Sequence, residues 1–450
     1  MRTVTKAYRR SRQRSQFLTL ERAAQNGSGI PDGWRTVPLR SLCLATELTD
    51  PTKSPATSFQ YIDVSAVSND LWKITGSTEH LGTTAPSRAR KLVGANDVIF
   101  ATVRPMLRRI AMIPEYLDGQ IVSTAFCVLR ANPTQADSRF IYYTLLTDEF
   151  IERIGNLQRG ASYPAVTDGD ILGQEILVPP LAEQHAIAAV LSKIQAAVEV
   201  QDKLVAALKE LKAATTAKLF CEGLRGEPLK QTEIGEIPES WEVMRLCELA
   251  SIERGKFTHR PRNEPRFYGG AIPFIQTGDV AKSNGRIRTY SQTLNEEGLA
   301  ISRLFPKGTI VLTIAANIAD TAILEFDSAF PDSLVGITPD GTMDAAFLEC
   351  YLRTQKADMN HLAPKGTQKN ININFLKPWS TPRPSIEEQQ EIAHSLRCLD
   401  NKLELAWARR DTLKSLFSSM LHLLMTGQVR VSTAIEPIEA VLQAKGNVKP

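Results

Sequence analysis

The stretch Leu181-Ala182-Glu183-Gln184-His185-Ala186-Ile187-Ala188 decides the fold, because it recurs as Ile386-Glu387-Glu388-Gln389-Gln390-Glu391-Ile392-Ala393. Both copies follow a proline-containing segment, and each opens a run of about 40 residues without Pro or Gly. At the rise of an α-helix, each run predicts a helix of roughly 60 Å. The chain therefore contains two long helices, one in each copy of a repeated segment.

Three further pairs of segments repeat in the same order. Residues 30–34 (Ile-Pro-Asp-Gly-Trp) correspond to 237–241, residues 97–102 to 309–314, and residues 160–163 to 366–369. All the offsets lie between 205 and 212. This ordered recurrence predicts a tandem duplication of the whole unit.

Each copy consists of a globular part and a long helix. Short apolar runs between Gly, Pro and Asn turns predict an α+β domain, a mixed sheet with a few helices such as residues 139–146 and 345–354. We predict a disordered basic arm at 1–26, the first globular domain at 27–180, the first long helix at 181–222, a linker at 223–236, the second globular domain at 237–384, the second long helix at 385–426 and a tail at 427–450.

Apolar residues in the long helices alternate by four and three, the spacing of a coiled-coil seam. The predicted seam is Val190, Ile194, Ala197, Gln201, Leu204, Leu208 and Leu211 in the first helix, and Ile392, Leu396, Leu399, Leu403, Ala406, Arg410, Leu413, Phe417, Met420 and Leu424 in the second. Ser385 and Glu388 predict a capping box at the start of the second helix. We expect the two helices to pair with each other as a coiled coil; packing of each on its own globular domain is the alternative.

Composition and length narrow the class of protein. The 450 residues are 43% hydrophobic and 23% charged, which is typical of two or three globular domains. The longest mostly apolar stretch, residues 309–319, is too short to span a membrane. Six scattered cysteines without a CxxC pair indicate neither a disulfide framework nor a zinc site. We therefore expect a soluble, cytoplasmic protein.

Sequence motifs for catalysis are missing. The chain has no GxxxxGK[ST], no HExxH, no Asn/Asp-Pro-Pro-aromatic motif and no glycine-rich turn for a nucleotide cofactor. Pro331-Asp332 is not followed nearby by the acidic-x-Lys of a nuclease metal site. We predict that the chain is not an enzyme. An orphan methyltransferase or nuclease with an unrecognised site remains an alternative.

Basic residues concentrate in three segments. Residues 1–25 hold seven basic residues against Glu21 alone, and this arm is interpreted as a solvated tail, a source of phosphate contacts or the product of a misassigned start codon. The other two clusters, one in each globular domain, are candidates for contacting DNA phosphates: Arg88, Arg90, Lys91, Arg104, Arg108 and Arg109, and then Arg254, Lys256, Arg260, Arg262, Arg266, Lys282, Arg286 and Arg288. Ordinary solvated faces are the alternative.

Two corresponding loops add polar side chains that suit contacts with bases. Gly permits close backbone approach to phosphate, while Arg, Gln and Asn pair with base edges. The candidates are Arg159, Ser162 and Tyr163 in the first loop, Lys365, Thr367, Gln368, Lys369 and Asn370 in the second, and Asn317 elsewhere in the second globular domain. Polar turns with no role in binding are the alternative for both loops.

The chain resembles the specificity (S) subunit of Type I restriction–modification enzymes over about residues 30–430. The resemblance is carried together by residues 232–241 (TEIGEIPESW), 100–107 (FATVRPML), 313–319 (TIAANIA), 178–184 (VPPLAEQ), 384–389 (PSIEEQ) and 424–430 (LMTGQVR). It implies two target-recognition domains, each reading one half of a bipartite asymmetric sequence in double-stranded DNA. The long helices would form an antiparallel coiled coil and set the spacing of the halves.

The same resemblance implies partner subunits. Two methyltransferase subunits would dock on the helices, and restriction/translocase subunits would join through them. S-adenosylmethionine, ATP and Mg²⁺ would belong to these partners, with N6-methyladenine as the product and no membrane involved. A protein-interaction scaffold that does not read bases is a further alternative.

Overall fold

The structure is a computed structural model that describes residues 19–22, 30–315, 317–363 and 370–432. It divides into two compact units. The described residues up to 201, together with those from 409, form the first unit, and residues 202–408 form the second. Lys365, Thr367, Gln368 and Lys369 lie outside the described residues, as do most of the basic arm and the end of the tail.

Two four-stranded sheets form the centre of the first globular domain. One is antiparallel, in the order Cys43–Leu44, Phe126–Ala131, Val98–Ala101, Ile110–Met112; the other runs Thr78–Leu81, Ser58–Ile62, Ile121–Ser123, Ala89–Leu92 with its central pair parallel. A ribbon of Arg35–Pro38 and Glu175–Val178 closes the domain. Its helices are Ser138–Leu146, Asp148–Asn156 and Asp168–Leu172.

The second globular domain repeats this plan. A five-stranded sheet has the order Ala250–Arg254, Leu334–Pro339, Ile310–Thr313, Thr321–Leu324, Arg286–Ile287, and a four-stranded sheet has the order Gln292–Leu294, Tyr268–Phe274, Ser328–Ala329, Leu304–Phe305. Glu242–Arg245 pairs with Ser380–Arg383 as the closing ribbon. The helices are Leu246–Leu249, Thr277–Lys282, Glu296–Ala300, Ala345–Thr354, Lys356–Leu362 and Ile373–Leu376. The predicted α+β class with mixed sheets is confirmed.

The two long helices are Leu181–Glu222 and Ile386–Met425, and each contributes one half to each unit. In the second unit Val205 packs with Leu403 and Ala406, while Arg225 lies 3.0 Å from Glu391. Higher-numbered residues of the first helix therefore face lower-numbered residues of the second, so these halves run antiparallel. The predicted pair of long antiparallel helices is confirmed.

The repeated Glu-Gln motif attaches each globular domain to its helix. Trp34 Nε1 donates to Glu183 at 3.2 Å, and Trp241 Nε1 donates to Glu388 at 3.1 Å. All four side chains are buried, so each indole N–H and each carboxylate needs its partner. This explains why a Trp recurs near the start of each globular domain.

The glutamine of the motif ties in a second helix. Gln184 accepts a hydrogen bond from the backbone N–H of Asp137 at 3.0 Å, and Gln389 does the same for Asp344 at 2.7 Å. Each of these aspartates caps the N-terminus of a globular-domain helix, Ser138–Leu146 or Ala345–Thr354. One polar residue thus fixes the long helix and the shorter helix together.

The capping box predicted at Ser385 is only half formed. Ser385 Oγ accepts a hydrogen bond from the backbone N–H of Glu388 at 3.3 Å, as a cap should. The carboxylate of Glu388 accepts instead from Trp241 and from the backbone N–H of Leu224, at 2.7 Å. The tertiary contacts therefore take the group that a local box would have used.

The seam predicted for the second long helix is confirmed, but that for the first is partly wrong. Leu204 and Leu211 are 46% and 51% exposed, whereas the neighbouring Val205 is 5% exposed. The inward positions follow the series 187, 191, 194, 198, 201, 205, 208, 212, 215 and 219, which still alternates by four and three. Lys212 holds a seam position because Asp400 of the second helix pairs with it, which apolar periodicity could not indicate.

Segments predicted as arm, linker and tail include regular structure. Thr19–Arg22, within the predicted basic arm, pairs antiparallel with Val429–Ser432 of the predicted tail. Leu229–Thr232 and Gly235–Pro238 form a hairpin across the predicted linker. For Thr19–Arg22 the expectation of disorder is wrong, because backbone pairing with a distant partner leaves no pattern in the local sequence.

Candidate nucleic-acid interface

The loop after the strand Val98–Ala101 exposes two arginines in an unusual backbone conformation. Arg104 and Arg108 have φ angles of 48° and 53° and flank a single turn formed by Pro105–Leu107. The left-handed region is costly for residues with a Cβ, so the surrounding fold must hold this loop in place. The turn leaves Met106 and Leu107 exposed between the two cations.

The structure brings this loop against the second predicted loop of the same domain. The guanidinium of Arg104 lies 5.3 Å from the centre of the Tyr163 ring, and the backbone N–H of Arg104 donates to Pro164 at 2.7 Å. Tyr163 itself is 72% exposed. Residues separated by about 60 positions thus form one surface, which we call loop surface 1: Arg104, Arg108, Arg159, Ser162 and Tyr163, with Arg88 exposed elsewhere in the domain.

Other predicted phosphate contacts of the first domain are engaged within the fold. Lys91 is largely buried and pairs with Asp168, while Arg109 donates to the backbone carbonyls of Val64 and Val67 at 2.8 and 2.9 Å. Arg90 lies 3.6 Å from Asp50. These contacts explain the residues structurally, and any phosphate role for them stays a prediction.

Within loop surface 1, two of the cations also have acidic neighbours. Arg108 pairs with Asp148, and Arg159 lies 3.3 Å from Asp170. Hydrogen bonds from Thr167 and the charge of Arg159 lower the pKa of Asp170, so its carboxylate is ionised at neutral pH. Both arginines remain accessible, because a pair at an exposed site is weak and exchanges readily for a phosphate.

In the second domain three arginines converge on Asp332. Arg260 and Arg262 pair with its carboxylate, and Arg254 donates to its backbone carbonyl at 2.6 Å. One carboxylate cannot neutralise this group, and Lys256 is exposed nearby in sequence. We call these residues loop surface 2. The role of Asp332 was missed in the sequence because some 70 residues separate it from the arginines.

The remaining candidates of the second domain are two asparagines and four basic residues. Asn317 and Asn370 are exposed, and a β-bridge between Ala315 and Asn370 joins their segments as Val103 and Ala165 are joined in the first domain. Lys282 is exposed, whereas Arg286 pairs with Glu325. Arg288 and Arg266 face Glu404 and the ring of Phe267 respectively. Any contact of these residues with DNA stays a prediction.

Exposed leucines on the long helices form a different kind of surface. Leu204 and Leu211 are seven residues apart and so share one helix face, and Leu405 of the second helix is also exposed. Large apolar side chains at this spacing outside a seam are typical of a helix that binds another helix.

Metal-ligating and thiol side chains are spread over the described part of the chain. No cluster of His, Cys, Asp and Glu within it is arranged to hold a metal ion. Burial raises the pKa of the Cys43 and Cys350 thiols to about 12, so neither is a thiolate nucleophile at neutral pH. Among the same residues, no helix has the length and apolar character to cross a membrane.

These features define a tandemly duplicated α+β protein with paired long helices and a cation-rich loop surface in each copy. The family model for the Type I restriction modification DNA specificity domain matches residues 31–210 and 238–415. The chain belongs to this family.

Individual relatives agree in length and fold. The chain is 24% identical over 422 residues to the putative type I restriction enzyme MjaX specificity subunit of Methanocaldococcus jannaschii, covering 90% of this chain and 95% of that one. A solved structure concerned with complex assembly and conformational transition of the type I R-M system is 29% identical, with a TM-score of 0.55 and coverage of 89% and 99%. The S subunit of M. genitalium, at 16% identity and a TM-score of 0.57, shares the fold over 87% and 96% of the two chains.

Proposed function

We propose that this chain is the non-catalytic DNA sequence-specificity subunit of a Type I restriction–modification complex. Each globular domain reads one half of a bipartite, asymmetric target in double-stranded DNA. The observation that carries the proposal is the duplication. Matched Trp–Glu and Gln–Asp contacts attach both domains, while the exposed residues of loop surfaces 1 and 2 differ. Equal attachment with unequal surfaces suits two readers of different half-sites.

Affinity in this proposal comes from the exposed cations. Arginines that displace counterions from DNA give binding that falls steeply with salt. The Arg104–Tyr163 pair adds a flat, cationic face suited to a phosphate or a base edge. The left-handed conformations of Arg104 and Arg108 fix the loop before DNA arrives, which lowers the entropy lost on binding.

Partner subunits dock on the long helices in this proposal. Leu204 and Leu211 offer an apolar helix face to a methyltransferase subunit, and restriction/translocase subunits join through that partner. S-adenosylmethionine, ATP and Mg²⁺ are held by the partners. The methyltransferase flips an adenine from the duplex and methylates N6. The helix pair sets the spacing between the half-sites.

The test is to express the chain with its neighbouring methyltransferase gene and map modified adenines across the host DNA. We expect a gapped motif with two different halves. Absence of modification beyond that of the methyltransferase alone, in a complex that does form, would favour a scaffold that does not read bases. Methyl transfer by the purified chain alone would favour an orphan methyltransferase. Either result would overturn the proposal.

A further inference from the structure

Four charged side chains meet where the second globular domain contacts the long helices. Glu349 and Arg353 come from the helix Ala345–Thr354, Asp400 from the second long helix and Lys212 from the first. Arg353 lies 3.2 Å from Glu349 and 3.5 Å from Asp400, and Lys212 pairs with Asp400. We call these four residues the charged joint.

The charged joint is largely shielded from solvent, since the side chains of Asp400, Lys212 and Arg353 are 14%, 21% and 27% exposed. The side chain of Glu349 is only 3% exposed, and its second oxygen accepts a hydrogen bond from Thr321 at 2.9 Å. Loss of solvent raises the pKa of Glu349, while Arg353 and Thr321 act in the opposite direction. The charged form of the Glu349 carboxylate is therefore stabilised by Arg353. Gly285 leaves room for that arginine, since a Cβ there would lie 2.9 Å from Nη1 of Arg353.

The first globular domain meets the helices at the same place without charge. The repeat matches Glu349 with Tyr142, Arg353 with Leu146, Asp400 with Gln195 and Lys212 with Phe417. The last match is carried by the segments Leu208-Lys-Glu-Leu-Lys212 and Leu413-Lys-Ser-Leu-Phe417. We call Tyr142, Leu146, Gln195 and Phe417 the uncharged joint.

Neutral hydrogen bonds and ring contacts hold the uncharged joint. Gln195 donates to Tyr142 at 3.2 Å and accepts from Tyr143 at 2.9 Å. The Phe417 ring stacks on Trp72 with centroids 5.6 Å apart. A duplicated contact has thus acquired two different chemistries within one chain.

The two chemistries respond differently to the loss of one group. Removing one partner of a buried ion pair leaves the other charge without compensation in a medium of low dielectric constant, which is far costlier than removing both. Removing one neutral hydrogen-bonding partner costs much less, because the tyrosine hydroxyls keep a second partner. Only the charged joint should therefore fail sharply when its charge balance is broken.

We propose that the residues of the charged joint are positioning residues that hold the second globular domain on the helix pair. Breaking their charge balance releases that domain alone, so the complex loses one half of its recognition sequence and keeps the other. The consequence for DNA reading rests on the proposed function, whereas the release itself does not.

The experiment compares Lys212→Met, Asp400→Asn and the double variant in the full chain by hydrogen–deuterium exchange. We expect exchange in Ala345–Thr354 to rise at least about tenfold in each single variant and to return toward the original rate in the double variant. Exchange in Ser138–Leu146 should stay unchanged. Lys212→Arg keeps the charge and should behave as the unaltered chain. Gln195→Leu is the matched control in the uncharged joint and should change exchange far less.

Equal rates in the single variants and the unaltered chain would overturn the proposal, as would a double variant no better than the singles. Should Lys212→Met fail to fold, the milder Lys212→Gln tests the same point. Adenine mapping of the methyltransferase complex then reports DNA reading. Loss of base preference in only one half of the methylated motif supports the proposal, and equal loss in both halves contradicts it. If the unaltered complex directs no sequence-specific methylation, the proposed function fails. The exchange rates still test whether the charged joint holds the second globular domain on the helices.

Discussion

Glu183 and Glu388 occupy matching positions and each binds a tryptophan, but the second group that each binds is different. Beyond its tryptophan, Glu183 accepts from Arg430 at 2.7 and 3.0 Å, whereas Glu388 accepts from the backbone N–H of Leu224. In both copies the partner follows a glycine with positive φ, Gly427 at 68° and Gly223 at 63°. A left-handed residue turns the chain at the end of a helix and allows this return. A buried carboxylate thus ties the start of one long helix to the end of the other.

Arg104 is the residue of loop surface 1 whose removal should weaken DNA binding most directly. Arg104→Ala removes one cation and its stacking on Tyr163, so we expect the salt slope of log K to fall in magnitude by about one and the affinity to fall several-fold. Fluorescence anisotropy of the complex with duplex DNA across a salt titration measures both. Arg225→Ala, in an exposed pair with Glu391, is the control. Unchanged binding at every salt concentration would remove Arg104 from the interface.

The long helices show how one element serves two surfaces. Seam residues such as Val205 face inward, while the next residue, Leu204, faces solvent. A single-residue shift of an apolar helical pattern moves its face by about 100°, so composition alone could not separate the two. Adjacent residues on one helix are therefore predicted to serve different functions, stability and partner docking.

This separation predicts opposite results for two neighbouring substitutions. Val205→Asp places an unpaired charge beside Leu403 and Ala406, so we expect a loss of about 3–5 kcal/mol in the free energy of unfolding. Leu204→Asp should change it by less than about 0.5 kcal/mol, because the side chain is in solvent. Denaturant unfolding measures both. Leu204→Asp should instead reduce co-purification of the methyltransferase subunit, and full retention of that partner would argue against docking at this face.

The helices also carry the prediction about half-site spacing. Deleting one heptad from the middle of each, residues 197–203 and 408–414, preserves the alternation by four and three. Seven residues correspond to about 10 Å of helix, or roughly three base pairs. We expect the gap of the methylated motif to shorten by about that amount in adenine mapping. Methylation at the original spacing would contradict a ruler role for the helices.

At the scale of the whole molecule, the duplication has kept attachment and changed recognition. Tryptophan, glutamate, glutamine and capping aspartate recur with matching contacts in both units. The joints and the loop surfaces differ between the copies. Because the attachment contacts are the same in both copies, the globular domains are interchangeable in principle. The domain residues of each joint must, however, suit the helix residues of the same joint.

Interchange can be tested within this one sequence. We replace residues 237–384 with residues 30–179 and add Lys212→Phe and Asp400→Gln, so that the transplanted domain meets an uncharged joint. The expected product folds and directs methylation to a motif whose two halves have the same base sequence, because both readers are then identical. The same exchange without the two helix substitutions is the control and should be less stable, since it buries Lys212 and Asp400 without Glu349 and Arg353. A motif that still has two different halves would refute independent reading by the domains.

The sequence by itself determined the duplication, the α+β class, the extents of the long helices and the family, because repeats and periodicity are properties of the chain order. It also placed Arg104 and Tyr163 among the candidates. Only the tertiary structure decided that these two stack, that Lys91 and Arg109 serve internal contacts, and that Asp332 gathers three arginines. It alone moved the first helix's seam by one residue and revealed the charged joint. Contacts between distant residues depend on side-chain pairing in three dimensions, which local pattern does not encode.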